Sequence, residues 1–496
     1  MIVMASIEET TSSTTATRRG GLRRDAIGLR EVLFQSITDM APGAAIAASI
    51  PTGAAYAGGA LPLSVALALI ACLLTAACIA MLARELPSAG SLATYSARGL
   101  HPAAGFLVAW GYVLTGVLVC PLVLLQLGFT FATQVNHQPA SATAAPNLSY
   151  WWIWSLAGAV IVLLAGYFGI RTSARFGTVL GAFEIAVFLV LAVFFIVHAG
   201  HHNTFAVFGT RYTPAGYRGV SGVIAGSVYS VLAFGGFEGA APLAEEARNP
   251  RRVVPLAVML ATLGIGILYV FTTYAVEAVY GPGRFSTFST AGSASWQGLA
   301  QSLYGLFWVF VFLAIVNSTI ANANAGVNVA SRTGFAMGRI GAFPAALSIV
   351  HPRWRSPIVG IFVTFVLTVA VILGLGLSYN PITAFAMIAT GLVIILVGAY
   401  ILTNAACIGY FARTASGRRN WLLHLVIPLL GIAAFVPAWL TASGIRVFSF
   451  VVPLTAPSSY MGPGVGGWMV AGLLYLAYLY RKHPTRIAEV GLIHMD

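Results

Sequence analysis

Charge is what this chain has least of. Of its 496 residues, 26 are Lys or Arg and 13 are Asp or Glu, so 8% are charged, against about 25% in soluble domains. That cannot cover a water-facing surface of this size, which excludes an ordinary soluble enzyme, a nucleic-acid-binding domain and a disordered chain. Lysine is nearly absent: Lys482 stands alone and the other bases are arginines. They lie in short tracts between apolar runs, so the net charge of +13 is not a nucleic-acid signal. Cysteine is scarce as well. Cys72, Cys78, Cys120 and Cys407 fall inside apolar runs without CxxC spacing and read as packing residues, with no metal or cofactor expected. Neither H-E-x-x-H nor G-x-S-x-G occurs, which speaks against an enzyme embedded in the membrane. There is no sizeable soluble domain of the kind a sensor carries. Residues 1–30 are polar and bear arginines, so the first apolar run, not a cleaved leader, is expected to direct insertion.

What the chain has instead is apolar runs. They cover roughly 33–57, 61–83, 102–131, 151–170, 176–198, 219–243, 253–280, 296–325, 357–378, 382–412, 421–441 and 462–480. A helical span takes about 20 apolar residues, so the pattern predicts an all-α polytopic membrane protein with 12 transmembrane helices. Ser356 to Ala412 is 57 uncharged residues, too long for one helix, and Ser378-Tyr379-Asn380-Pro381 supplies the turn. An even number of spans puts both termini on one side. That side then holds 22 of the 26 basic residues; Arg211, Arg218, Arg284 and Arg446 are the other four. The excess predicts cytoplasmic termini in a plasma (inner) membrane.

Two spans are broken by their own residues. The first contains Asp39-Met40-Ala41-Pro42-Gly43-Ala44-Ala45, the sixth Ala233-Phe234-Gly235-Gly236-Phe237-Glu238. Pro lacks the N–H that a helix needs, and Gly tolerates unusual dihedrals. Irregular backbone at membrane depth survives only where it is buried in protein or lines a cavity. Breaks at matching positions of two halves are the pointer to a transporter site. Here they open spans one and six, so the repeat unit is five spans, and an odd unit repeats inverted. The expected division is a tail at 1–30, five-helix units at 31–200 and 217–412, two further helices at 413–480 and a tail at 481–496. A half-helix starting near Gly43 offers amides of Gly43, Ala44 and Ala45 to a carboxylate. Carbonyls near Asp39–Met40 and Ala233–Phe234 suit an ammonium group. The pair is complementary to a zwitterionic amino acid, with Met40, Ala41, Gly43, Ala44, Ala45 and Ala233 to Phe237 as the substrate-binding residues. Helix packing through Gly235-xxx-Gly239 is the plainer alternative.

Four acids lie in apolar runs: Asp39, Glu184, Glu238 and Glu277. Each is costly at that depth and a functional candidate by default. Glu277, near the outer end of span seven, is expected to reach the interface. Glu238 is expected to cap amides freed at the sixth-span break, or to act in gating or proton transfer. Asp39 is a candidate to neutralise an amine or a bound cation; a local hydrogen bond to the unwound segment is the alternative. Glu184, alone in span five, is the candidate proton-responsive group. Asn317, Ser318, Thr319, Asn322, Asn324 and Asn328 crowd span eight. Ser318 and Thr319 facing the first break would be sodium ligands; interhelical hydrogen bonding is the alternative. His198, His201 and His202 read as a solvated loop.

These residues resemble the amino acid–polyamine–organocation transporter superfamily. Phe234-Gly235-Gly236-Phe237-Glu238 leading to Glu245-Glu246-Ala247-Arg248-Asn249-Pro250-Arg251-Arg252-Val253-Val254-Pro255 is similar to the pattern around its sixth span. Glu85-Leu86-Pro87-Ser88-Ala89-Gly90-Ser91 resembles the loop after its second span, and Arg332 to Arg339 with Pro344 the stretch after its eighth. The resemblance covers about residues 30–480. It implies a leucine-transporter-like five-plus-five inverted repeat with two extra C-terminal helices. It also implies a secondary transporter of amino acids or related amines, working by alternating access. There are departures: Ala-Pro-Gly-Ala replaces a Gly-Ser-Gly-like break, leaving fewer amide donors, and Ile340 replaces a common Asp. Glu184 falls where some relatives carry a Lys that substitutes for sodium. Proton coupling is the leading expectation. Sodium coupling, or exchange of polyamines or amines, is the alternative.

Overall fold

A long apolar run has one local way to satisfy its backbone away from water, the α-helix, and this chain takes it throughout. The computed structural model describes residues 27–136, 147–168, 174–291, 294–339, 344–354, 356–414 and 420–482. The two tails, residues 1–26 and 483–496, and Ile340 lie outside them. The described residues are helical, joined by loops, with a single β-type bridge between Ile27 and Ala247.

The main helices are α1 (Leu29–Met40), α2 (Pro42–Ala44), α3 (Leu61–Glu85), α4 (Ser91–Gly99), α5 (Pro102–Val135), α6 (Trp151–Tyr167) and α7 (Ala174–Ala199). After them come α8 (Val220–Phe234), α9 (Pro250–Tyr280), α10 (Phe307–Arg339), α11 (Ile358–Tyr379), α12 (Pro381–Thr414), α13 (Ile427–Ser443) and α14 (Met461–Lys482). Among the described residues ten helices are long and apolar enough to cross a membrane. One of these, Leu29–Glu85, is a run of 57 residues, interrupted at Ala41 and at the turn Gly58–Ala60. Trp151–Tyr167 is apolar but has 17 residues.

Proline marks several starts. Pro102, Pro250 and Pro381 each occupy the first helical position, where a missing N–H costs nothing. The turn read from Ser378 to Pro381 is present: α11 ends at Tyr379, Asn380 takes φ +98° and Pro381 opens α12. Large apolar side chains point outward along the helices, Leu67, Ile70, Ile267, Val366 and Leu474 among them, as a lipid-facing surface requires. All four cysteines are buried and unpaired.

Small residues set how closely the helices approach. A Cβ at Gly99 would run into the Ala406 carbonyl, and one at Gly409 into the Gly99 carbonyl, so α4 and α12 meet backbone to backbone. Ser155 donates to the Leu124 carbonyl at 2.8 Å and locks α6 onto α5. Motifs distant in sequence also meet. The Ala89 amide donates to Glu245 Oε1 at 2.9 Å. Ile27 pairs with the same loop, its amide donating to Glu246 O at 3.2 Å and its carbonyl accepting from Arg248 at 2.8 Å.

Gly99→Val or Gly409→Val should therefore destabilise the solubilised protein by about 1–3 kcal/mol, the usual cost of overpacking, read as a lower melting temperature. Gly467 has open space around it, and Gly467→Ala should leave the melting temperature unchanged or raise it. Equal tolerance at all three positions would contradict the close approach of α4 and α12.

Candidate functional site

Both interrupted spans break where proline and glycine are concentrated, and the breaks lie against each other. The first falls at Ala41, which adopts φ +45° and ψ +64°, a left-handed conformation uncommon for a residue with a Cβ. The helical path resumes at Pro42 and runs through a wider turn at Ala45–Ser49 to Thr52. In the second, α8 ends at Phe234, Gly236 takes φ +107°, and a tight 3-10 segment follows over Phe237–Leu243. A Cβ at Gly236 would stand 2.5 Å from the Asp39 carbonyl carbon and 2.8 Å from the Met40 nitrogen. Only glycine serves there, on two counts: the positive φ and the touching backbone.

Each freed backbone group needs a partner, and neighbouring helices supply them. The Tyr269 hydroxyl of α9 is shared between the carbonyls of Met40 at 3.2 Å and Ala233 at 3.0 Å, so one side chain ties the two breaks together. Asn322 of α10 donates to the Asp39 carbonyl at 2.8 Å, and Gln126 of α5 to the Ala44 carbonyl at 3.0 Å. Ser36 of α1 donates to the Phe237 carbonyl at 3.0 Å and accepts from the Ala240 amide at 2.9 Å.

The Gly43 amide differs from the expectation of an open anion seat. It donates to Glu184 Oε2 at 2.9 Å, while Asn317 Nδ2 donates to Oε1 at 3.2 Å. Glu184 is 4% exposed. The physical reason is local: a carboxyl in an apolar helix must find donors, and an uncommitted helix-start amide is the best one nearby. Glu184 thus meets span one at the start of its second half, α2.

The other predicted residues divide. Glu238 receives the Gly236 amide at 3.2 Å, the Tyr112 hydroxyl at 2.8 Å and the Tyr400 hydroxyl at 2.9 Å, joining the second break to α5 and α12. Asp39 accepts from Gln35 one turn back on its own helix at 3.0 Å, and its other oxygen lies against Gly239. Phe234 packs edge-on to Tyr269 and Phe237 packs on Tyr400, both fully buried. Ser318 lies beside Gly43 and the Glu184 carboxyl, buried. Thr319 is turned to its own helix, donating to the Val316 carbonyl at 2.9 Å. Glu277 corrects an expectation: it is fully buried, beneath the Gly58–Ala60 turn, because Gly59 leaves room for its carboxyl. Among the described residues no group of three His, Cys, Asp or Glu could hold a metal.

Sequence patterns passed over Tyr269, Gln126, Tyr112 and Tyr400. Gln126 carried a signal, an amide inside an apolar run. Tyrosines in membrane helices carry none, because the fold alone decides which hydroxyl reaches a freed carbonyl.

A family model described as amino acid permease matches residues 27–470. The low-affinity putrescine importer PlaP of Escherichia coli is 27% identical over 444 residues, covering 87% of this chain and 88% of that protein. The branched-chain amino acid permease BcaP of Bacillus subtilis is 26% identical over 444 residues, with the same coverage of each. An uncharacterized transporter of Mycobacterium tuberculosis is 28% identical over 471 residues, covering 94% of this chain and 93% of its own.

The contact between the breaks generates a direct expectation. Gly236→Val and Gly43→Val should abolish uptake by protein that still inserts in the membrane. At Gly43 a Cβ would stand 2.9 Å from Glu184 Oε2 and 3.0 Å from the Ala314 carbonyl oxygen. Uptake and surface abundance measured on the same membranes decide it; normal uptake by both variants would return these glycines to a packing role.

Proposed function

Because this chain belongs to the amino acid permease family, we propose that it is a secondary active transporter of amino acids or related amines, working by alternating access and coupled to protons. The observation that carries the reading is the Gly43–Glu184 hydrogen bond at 2.9 Å. It puts a buried ionisable group on the backbone of a broken span. A change of charge at Glu184 alters that bond, and with it the balance between conformations of the outer half of span one. Asn317 on α10 holds the second carboxyl oxygen, so the same event is felt by a third helix.

The finer architecture belongs to this proposal. The 57-residue run counts as two spans divided at Gly58–Ala60, and Trp151–Tyr167 counts as another, giving twelve. The breaks then open the first span of each five-helix unit, 31–200 and 217–412, in inverted orientation, with 413–480 as two added helices. The arginine bias supports cytoplasmic termini, and a plasma-membrane location goes with the transporter reading.

The putrescine importer and the branched-chain amino acid permease match almost equally well, so relatedness leaves the substrate open between amines and amino acids. Sodium coupling is a second reading that one observation favours: the Ser318 hydroxyl is buried beside Gly43 and the Glu184 carboxyl, a pair of oxygens suited to a cation, whereas Thr319 is engaged within its helix.

Proteoliposomes separate the two. A pH gradient without sodium should drive accumulation, and Glu184→Gln, which fixes a neutral side chain, should remove the pH dependence of uptake while leaving binding measurable. Accumulation driven by a sodium gradient alone, or a Gln variant with the full pH response, would reject proton coupling through Glu184.

A further inference from the structure

At both breaks the amides nearest the interruption are already spent. At the first, the Ala41 amide is spent on the carbonyls of Ile37 and Thr38, and the Ala45 amide on the Ala41 carbonyl. Pro42 has no N–H, and the Gly43 amide holds Glu184. At the second, the Gly235 amide is spent on Leu232 and the Gly239 amide on Gly236. The Gly236 amide holds Glu238 and the Ala240 amide holds Ser36. At each break the leading amide, Gly43 in the first and Gly236 in the second, is taken by one of the chain's own carboxylates.

The acceptors are in a different position. The Met40 and Ala233 carbonyls share one tyrosine proton, and a carbonyl oxygen has two lone pairs, so both retain capacity. Ser318 adds a buried hydroxyl beside Gly43 and Glu184. Three acids surround the breaks: Asp39, Glu184 and Glu238. No Lys, Arg or His occurs in residues 31–60, 102–135, 178–197, 219–247, 253–280, 307–331 or 381–412, the stretches that build the site.

We propose that Glu184 fills the carboxylate seat of the first break, so that the site selects an organic ammonium ion lacking a carboxylate over the amino acid of the same carbon skeleton. An ammonium group brings donors to unsaturated acceptors and a positive charge to three acids. A carboxylate-bearing ligand has to displace Glu184 from Gly43 and enter beside carboxylates, the like-charge juxtaposition by which sites reject wrong ligands. The inference rests on the transporter reading above and narrows its substrate class.

The test uses matched pairs that differ only in the carboxylate: 3-methylbutylamine with leucine, 2-phenylethylamine with phenylalanine, 1,4-diaminobutane with ornithine. Thermal stabilisation of the purified full chain and uptake into proteoliposomes are measured for each. In at least one pair the amine should bind about tenfold or more tightly than its amino acid, and no pair should show the reverse. Glu184→Ala should weaken the amine and strengthen the amino acid; Asn317→Ala, which removes the donor to Oε1 and leaves the Gly43 amide to Oε2, should keep the preference for the amine. Amino acids bound as well as or better than their amines by the unmodified chain would overturn the inference while leaving the transporter reading intact. Failure to bind or carry any member of either series would count against both.

Discussion

A helix interrupted in an apolar layer survives only if every backbone group it frees finds a partner, and here that constraint is met by the bond between the Gly43 amide and Glu184 and by the Tyr269 hydroxyl. An unpaired buried amide or carbonyl costs about 1–3 kcal/mol, and two breaks free several such groups at one depth. Tyr269 bridges carbonyls from both breaks, Asn322 and Gln126 hold two more, and Glu184 holds the amide. Helices α5, α7, α9 and α10 are thereby tied to the interrupted segments by hydrogen bonds as well as by packing. A shift of either half-helix has to exchange these partners, which gives the site discrete arrangements instead of gradual drift.

Glu238 extends the same logic toward the far side of the second break. Its carboxyl gathers Tyr112, Tyr400 and the Gly236 amide, so the short segment after α8 is fixed to α5 and α12 together. Further along the chain, Glu245 receives the Ala89 amide and Ile27 pairs with Glu246 and Arg248. The charged and glycine-bearing loops that stand out in the sequence are thus the places where separate helices are joined.

Some of this was legible from the residues alone. Apolar runs, the Asn380-Pro381 turn and interruptions near Pro42–Ala44 and Phe234–Gly236 follow from local chemistry: the missing N–H of proline, the freedom of glycine, the length of a span. The first break falls at Ala41, one residue before the proline, because the strain in this chain is carried by the residue that precedes the restarted helix. The partners were not legible, since they come from helices tens to hundreds of residues away. In the sequence Glu184 is an isolated acid in an apolar run. Only the fold brings it to Gly43, 141 residues away in sequence, and turns an anion seat into an occupied one. Glu277 illustrates the converse: its position near a helix end indicates exposure, yet the Gly59 turn closes over it.

The most direct measurement is a high-resolution cryo-electron microscopy structure of the full chain in a lipid nanodisc without added ligand. A Glu184 carboxyl oxygen should lie within hydrogen-bond distance of the Gly43 nitrogen, near the 2.9 Å found here, with the Tyr269 hydroxyl between the Met40 and Ala233 carbonyls. A Glu184 side chain turned to another partner, with the Gly43 amide left open and the two breaks apart, would contradict the arrangement on which the whole site depends.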